Sequence, residues 1–81
     1  MRFVYIVRCN DNSLYTGIAK DLTKRISDHN NSKTGAKYTK SRRPVDLIWS
    51  KKVADRNEAS KLELQIKKLG KQQKEEMIAL G

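Results

Sequence analysis

Four side chains that could bind a phosphate or move a proton beside it occur within the first 29 residues of the chain: Tyr5, Tyr15, Arg25 and His29. The arginine and the histidine are four residues apart, a spacing that places both on one face of a helix. A guanidinium binds phosphate oxygens through two parallel N–H groups and keeps its charge, whereas an imidazole changes its protonation near neutral pH. We therefore expect a phosphate-handling site where the elements that carry these residues pack together.

The two tyrosines belong to a predicted β-hairpin. The segment Phe3–Cys9 is rich in β-branched and aromatic residues and its first five positions are all apolar, which predicts a central strand buried on both faces. Turn-forming residues follow at Asn10–Ser13, and Leu14–Ile18 returns as the second strand. A loop with an even number of residues would place the tyrosines on opposite faces, whereas an odd loop, or a bulge near Gly17, would place them together. We predict that they share one face.

Capping residues and helical periodicity predict three helices and one more strand. Asp21 is the N-cap of the first helix, and Asp55 with Glu58 three residues later forms a capping box for the second. The predicted elements after the hairpin are Leu22–Asn31, Val45–Val53, a helix from Asp55 to Gly70, and Gln72–Leu80. We predict one α+β domain over residues 1–81, a three-stranded antiparallel sheet flanked by helices in the order ββα, basic loop, βαα.

The charge of the chain favours a polyanionic partner. Eighteen lysines and arginines outnumber nine aspartates and glutamates, which gives a formal net charge of +9. Such an excess makes nucleic acid the first candidate, and charge alone does not distinguish DNA from RNA. In the basic loop we predict contacts from Lys37, Arg42 and Arg43, with Tyr38 placed to stack on a base. The alternative is a basic surface that is only solvated.

Composition disfavours several other classes of protein. Cys9 is the single cysteine, which excludes an internal disulfide and a cysteine-rich zinc site and suits a reducing cytoplasm. The longest apolar run, Phe3–Val7, is far shorter than a membrane-spanning helix. Met1–Arg2 leads straight into the first strand, so we expect no signal peptide and a cytoplasmic protein.

Two tripeptides connect the hairpin to a known family. Val4–Ile6 and Tyr15–Gly17, which read VYI and YTG, resemble the two halves of the GIY-YIG endonuclease signature, with a valine where the first motif usually begins with glycine. Ile18 stands where repair-type members carry a lysine. Residues 35–45 and 67–78 are similar to segments of small stand-alone bacterial GIY-YIG proteins. The resemblance implies a GIY-YIG-like fold and an endonuclease that hydrolyses phosphodiester bonds, on structured or damaged DNA.

The resemblance also implies individual roles. Tyr5 corresponds to the family's general base, Tyr15 to a residue that positions phosphate or water, and Arg25 to a functional arginine. Gly17 corresponds to a glycine that keeps its strand close to the substrate or the first helix, and His29 to a residue that orients Tyr5 or relays its proton. A phenol with a pKa of about 10 is a poor base at neutral pH. We expect Arg25, a metal or a hydrogen bond to His29 to assist it.

Structural alternatives exist for each of these residues. Tyr5 could simply fill the core, Tyr15 could be a cross-strand aromatic, and His29 could be a buried structural histidine. Arg25 could be one more surface cation of a basic protein.

Glu63 is the metal candidate that the resemblance implies. The family uses one glutamate at this place to hold a single divalent ion, Mg²⁺ or alternatively Mn²⁺, and waters and substrate oxygens complete the shell. The alternative is a surface ion pair between Glu63 and Lys67, one helical turn apart. We expect the Tyr5 phenol, the Arg25 guanidinium and this carboxylate to face one another across a groove open to a nucleic-acid backbone. The competing hypotheses are a non-catalytic nucleic-acid-binding module and an adaptor whose last helix docks a protein partner.

Overall fold

The computed structural model describes residues 1–31 and 42–80. The chain forms three strands and three helices, in the order β1 (Arg2–Arg8), β2 (Leu14–Ala19), α1 (Leu22–Asn31), β3 (Asp46–Val53), α2 (Arg56–Lys67) and α3 (Lys71–Leu80). The predicted α+β class and the order ββαβαα are confirmed. Both ends of α1 agree with the prediction, and no element end differs from the predicted one by more than three residues.

The sheet is antiparallel with strand order β2-β1-β3. The central place of β1 follows from its composition, because a middle strand covered on both faces needs apolar side chains in both alternating sets. Val4 and Ile6 point to one face and Tyr5 and Val7 to the other, and all four are buried. The prediction of a central strand buried on both faces is confirmed.

The turn between β1 and β2 places the two tyrosines on one face. Cys9 N–H donates to the Ser13 carbonyl at 2.8 Å and Asn12 N–H donates to the Cys9 carbonyl at 2.9 Å. Asn12 has a φ of 69°, the left-handed conformation that a three-residue hairpin loop requires. The odd loop pairs Tyr5 with Gly17 and Val7 with Tyr15. Tyr5 and Tyr15 are therefore diagonal neighbours on the same face, as predicted.

Helices cover both faces of the sheet and create two apolar clusters. Helix α1 lies against the face that carries Tyr5, where the cluster consists of Tyr5, Val7, Cys9, Ala19 and Val45, with Tyr15, Leu22 and Ile26 packed against it. Helices α2 and α3 lie against the other face. The buried cluster there consists of Val4, Ile6, Ala59 and Ile66, and it is covered by Leu62, Met77 and Ile78. The functional consequence is that α1 meets the hairpin on the tyrosine face.

Side-chain caps determine where α1 and α2 begin. The carboxylate of Asp21 accepts the Lys24 N–H at 3.0 Å, and the carboxylate of Asp55 accepts the Glu58 N–H at 2.9 Å. Each cap contributes about 1 kcal/mol to helix stability. Because a cap fixes the first helical residue, it also fixes which face of α1 carries Arg25 and His29.

An ion pair fastens α3 to the end of β1. The Arg8 guanidinium donates to both carboxylate oxygens of Glu75, one at 2.8 Å, and Lys71 Nζ lies 3.2 Å from the same carboxylate. Hydrogen bonds from Arg8, followed by Lys71, lower the pKa of Glu75 to about 2. Met77 and Ile78 of α3 pack on the sheet, while Leu80 is 90% exposed.

Among residues 1–31 and 42–80, no helix is both long and apolar enough to cross a membrane.

Candidate active site

A hydrogen bond between Tyr5 and His29 lies at the centre of the site. Tyr5 Oη is 2.7 Å from His29 Nε2, although the residues are 24 positions apart in the chain. The edge of the Tyr15 ring also meets His29, at a centroid distance of 5.4 Å and an interplanar angle of 68°. His29 reaches both tyrosines because it follows Leu22 and Ile26 on the face of α1 that packs on the sheet. The predicted meeting of hairpin and helix is confirmed.

Burial keeps the imidazole of His29 neutral. The side chain is 0% exposed, and burial, assisted by the charges of Arg25 and Arg43, lowers its pKa, while Asp28 acts in the opposite direction. A neutral imidazole has one nitrogen that accepts a hydrogen bond and one that donates. With the proton on Nδ1, Nε2 accepts from the Tyr5 hydroxyl. In this arrangement the phenol and the imidazole are joined by one hydrogen bond.

The Tyr5 phenol does not face an open groove. Its side chain is 1% exposed, because α1 lies over it and the rings of His29 and Tyr15 pack beside it. Burial raises its pKa, and this effect outweighs the hydrogen bond and the charge of Arg25, which lower it. Our expectation that the phenol faces an open groove is therefore wrong, whereas Arg25 does lower the pKa of Tyr5 as expected, by less than burial raises it. The phenol is a protonated hydrogen-bond donor at neutral pH.

Arg25 connects this buried hydroxyl with the surface. Its guanidinium hydrogen-bonds to the Tyr5 side chain and also lines a surface recess of about 230 Å³. The other residues around the recess are Ala19, Lys20, Asp21, Lys24 and Asp28. Arg25 is half-buried rather than fully exposed, so the alternative of an ordinary surface cation does not describe it.

Glu63, on α2, affects the same phenol through its charge. Its negative charge, together with Tyr15, contributes to the raised pKa of Tyr5. The Glu63 side chain is 22% exposed and one carboxylate oxygen lies 3.4 Å from Lys67 Nζ. The predicted alternative, an ion pair along the helix, is therefore present, and metal binding by Glu63 stays a prediction. Tyr5, Arg25 and His29 are brought together by β1 and α1, and Glu63 on α2 acts on the phenol through its charge.

The carboxylate of Glu63 suits one kind of metal. In the part of the chain that the structure describes, no group of three or more His, Cys, Asp or Glu side chains is arranged to hold an ion. Zinc sites normally need three or four protein ligands. Magnesium keeps several waters and binds through one or two carboxylates plus substrate phosphates. A single, partly exposed glutamate such as Glu63 fits the second description better than the first.

Gly17 is required by the close approach of Tyr5 to β2. The two residues are opposite each other in the sheet, and the phenol lies over the glycine. A Cβ atom added at Gly17 would lie 2.4 Å from Tyr5 Oη and 2.6 Å from its Cζ. Only glycine leaves room for the ring at this position.

We therefore expect Gly17→Ala to displace the Tyr5 ring and break its hydrogen bond to His29. Overpacking of this kind costs about 1–3 kcal/mol, which a urea unfolding curve would measure. Gly70→Ala is the matched control, because a Cβ at Gly70 meets nothing within 4 Å. The explanation fails if the two variants have the same stability and the His29 ring signals in NMR spectra do not move in the first.

The basic residues before β3 contact the protein itself. Arg42 Nε is 2.9 Å from the Asp11 carboxylate, and Arg43 donates to the backbone carbonyls of His29 and Asp28. Lys37 and Tyr38 lie outside the described residues. Nucleic-acid contact by these four residues stays a prediction. The hydrogen bond from Arg43 to the His29 carbonyl was not predicted from the sequence, because no local pattern connects residues 14 positions apart.

The fold and the two tyrosine-bearing tripeptides on neighbouring strands define a domain of the GIY-YIG class. A family model for the GIY-YIG catalytic domain matches residues 1–76, and the chain belongs to that family.

Relatives agree with this assignment over nearly the whole chain. An UPF0213 protein of Staphylococcus epidermidis is 56% identical over 79 residues, which are 98% of this chain and 95% of the relative. An UPF0213 protein of Desulfotalea psychrophila is 50% identical over 76 residues, 94% of this chain and 69% of the relative. The solution NMR structure of an UPF0213 protein from Bacillus halodurans superposes with a TM-score of 0.64 at 38% identity, covering 99% of this chain and 85% of the other.

Proposed function

We propose that this protein hydrolyses phosphodiester bonds in nucleic acid, with DNA as the first substrate to test, and that the reaction depends on a divalent metal. The observation that carries the proposal is the convergence on one phenol. Tyr5 Oη lies 2.7 Å from His29 Nε2, Arg25 lowers the pKa of this phenol through a hydrogen bond and its charge, and the charge of Glu63 raises it. Hydrolysis needs a proton acceptor, a positive group for the phosphate and an anchor for a metal.

Arg25 would bind the phosphate that is cleaved. A guanidinium forks onto two phosphate oxygens, and its charge stabilises the additional negative charge of the transition state. Arg25 lines the surface recess and also contacts Tyr5. When it turns toward a phosphate in the recess, it withdraws its hydrogen bond from the phenol. Substrate binding would then open a path between water and Tyr5 Oη.

Tyr5 and His29 would act as one proton acceptor. A buried phenol with a raised pKa does not lose its proton to bulk solvent at neutral pH. It can accept a proton from an attacking water at the moment that it passes its own proton to His29 Nε2, 2.7 Å away. No free phenolate is needed in this sequence. Tyr15, edge-on to His29 at 5.4 Å, keeps the imidazole in place.

Glu63 would hold the metal. A bound Mg²⁺ supplies charge stabilisation for the phosphate and the leaving oxygen, and one carboxylate with waters and substrate oxygens is a normal shell for this ion. The charge of Glu63 acts on the Tyr5 phenol, so a cation held by this carboxylate would supply its charge in the same region of the protein. Mn²⁺ prefers the same ligands and is the alternative ion.

A second candidate function is nucleic-acid binding without cleavage. The specific observation in its favour is the 1% exposure of Tyr5, since a closed phenol performs no chemistry unless the site opens. The net charge of +9 supports binding in either case. Only the first function predicts cleavage of the bound nucleic acid. Both predict that the affinity for nucleic acid falls steeply as the salt concentration rises.

Cleavage of labelled DNA tests the proposal. Linear, nicked and branched substrates are incubated with the protein in Mg²⁺, in Mn²⁺ or in EDTA. We expect metal-dependent fragments that carry 5′-phosphate and 3′-hydroxyl ends. Loss of a proton-transfer group costs about 100-fold or more, so Tyr5→Phe should cleave that much more slowly. Equal cleavage by Tyr5→Phe would identify a contaminating nuclease, and salt-sensitive binding without fragments would establish the second function.

The pH dependence of stability tests whether His29 is neutral in the folded protein. Its pKa is lowered from the ordinary value of 6.5 by burial. The unfolded chain therefore takes up a proton at a higher pH than the folded one, and the contribution of His29 to stability is complete above pH 6.5 and lost as the pH falls below it. Urea unfolding between about pH 5 and 8 measures this loss. The same pH series on His29→Gln, which has no imidazole, should not show this loss of stability. If the unfolding free energy of both proteins depends on pH in the same way, His29 is not the group responsible.

A further inference from the structure

Residues 42–45, which we call the strap, join the two elements that form the site. The strap runs from Arg42 to Val45, just before β3. One set of hydrogen bonds connects it to the turn after β1, and another connects it to the last turn of α1. Neither set belongs to a helix or to the sheet, and neither was expected from the sequence.

The contacts with the turn involve Asn10 and Asp11. Asn10 N–H donates to the Arg42 carbonyl at 2.9 Å, and the Asn10 side-chain amide donates to the Arg43 carbonyl at 3.0 Å. The Arg42 guanidinium pairs with the Asp11 carboxylate at 2.9 Å. Three interactions therefore anchor the strap to the hairpin that carries the two tyrosines.

The contacts with α1 involve its final residues. The Asn30 side chain accepts from the Val45 N–H at 2.7 Å and donates to the Val45 carbonyl at 3.1 Å. The Arg43 guanidinium donates from Nε to the His29 carbonyl and from Nη2 to the Asp28 carbonyl at 3.4 Å. Carbonyls in the last turn of a helix lack partners within the helix, and a cation is favourable there. Arg43 supplies both the hydrogen-bond donors and the positive charge, and one of its acceptors is the carbonyl of His29, whose imidazole contacts Tyr5.

We infer that Arg43 is a positioning residue for the Tyr5–His29 pair: by holding the His29 backbone against the strap, it sets the imidazole at hydrogen-bond distance from the phenol. Arg43 does not touch the reacting atoms. Its role in turnover rests on the proposed function, whereas its effect on His29 exists with or without catalysis. The sequence pointed to Arg43 as a nucleic-acid contact, and the hydrogen bonds to α1 assign it this other task.

Several charged and titratable groups face His29, and Arg43 is one of them. Tyr5 and Tyr15 face it from the sheet, Arg25 and Asp28 from α1, and Arg43 from the strap. The charge of Arg43 disfavours the imidazolium, so it acts in the same direction as burial. Loss of Arg43 therefore has two expected consequences, a less constrained imidazole and an imidazole that is protonated more easily.

Arg43→Gln tests the inference through His29 itself. The ring signals of His29, followed by NMR from pH 5 to 8, report its pKa and its hydrogen bond to Tyr5, and they require no activity. In Arg43→Gln we expect the pKa of His29 to rise and its ring signals to move. Arg43→Lys keeps the charge and one donor, so it should restore much of the wild-type titration. Arg56→Gln, the same change at an exposed residue of α2, is the matched control and should leave the titration unchanged.

Kinetics then separate positioning from substrate binding. In Arg43→Gln we expect kcat for cleavage to fall about tenfold, because small misplacements of a catalytic group are costly, while KM stays within about twofold. Unchanged His29 signals would overturn the inference. So would an increased KM with an unchanged kcat, since that result identifies a nucleic-acid contact. If the wild type cleaves nothing, the proposed function fails and the NMR titration still decides the role of Arg43.

Discussion

Glu63→Gln is expected to abolish metal-dependent cleavage while leaving the fold intact. The substitution keeps the size and the hydrogen-bonding shape of the side chain and removes the charge that a divalent cation needs. A bound metal supplies several kcal/mol to the transition state, so we expect the rate in Mg²⁺ to fall by about 100-fold or more. The only described ion pair that is lost is the one with Lys67 at 3.4 Å. Such helix-surface pairs contribute only about 0.3–0.5 kcal/mol, and the unfolding free energy should barely change.

Glu76→Gln is the matched control for this experiment. Glu76 is an exposed glutamate of α3, and the substitution removes the same charge. Its cleavage rate should equal that of the wild type. Binding of Mn²⁺, followed by its paramagnetic effect on solvent water, gives a second measurement that does not depend on turnover. If Glu63→Gln binds Mn²⁺ and cleaves as well as Glu76→Gln does, then Glu63 is not the metal ligand.

Replacing Arg25 with lysine is expected to have the second-largest effect. Lysine keeps the positive charge but cannot form two parallel hydrogen bonds to one phosphate. Removal of one preorganised donor from a transition state costs about 100-fold in kcat, and we expect Arg25→Lys to lose this much and Arg25→Ala more. The substitutions also remove the hydrogen bond that Arg25 makes with Tyr5. The pKa of Tyr5 should then rise further above its ordinary value, because the remaining large effect is burial.

The kinetic pattern distinguishes the role of Arg25 from that of an ordinary cation. If it stabilises the transition state, kcat falls by a larger factor than KM rises. Arg56→Ala removes an equal charge from the exposed start of α2, and its small effect on KM measures the general contribution of the basic surface. Equal losses in Arg25→Ala and Arg56→Ala would mean that Arg25 contributes only to the overall field of the protein.

Local patterns in the sequence were sufficient to predict the strands and helices. They also predicted that the two tyrosines share one face of the hairpin and that Arg25 and His29 share one face of α1. The apolar start of β1 predicted its central place, and the caps at Asp21 and Asp55 predicted where two helices begin. The four-residue spacing of Arg25 and His29 placed both on one side of α1. These inferences succeed because each depends on residues that are close in the chain, where helical and strand periodicity determine direction.

Only the tertiary structure decided the environment of Tyr5. Its hydrogen bond to His29 joins residues 24 positions apart, and the burial that raises its pKa comes from a helix and a neighbouring strand together. The same is true of Arg43, whose partner is a backbone carbonyl of another element. Residue type and spacing are encoded locally, whereas solvent exposure and long-range contacts arise only when the elements pack. Sequence therefore identified the chemical groups, and packing determined which of them are closed to water.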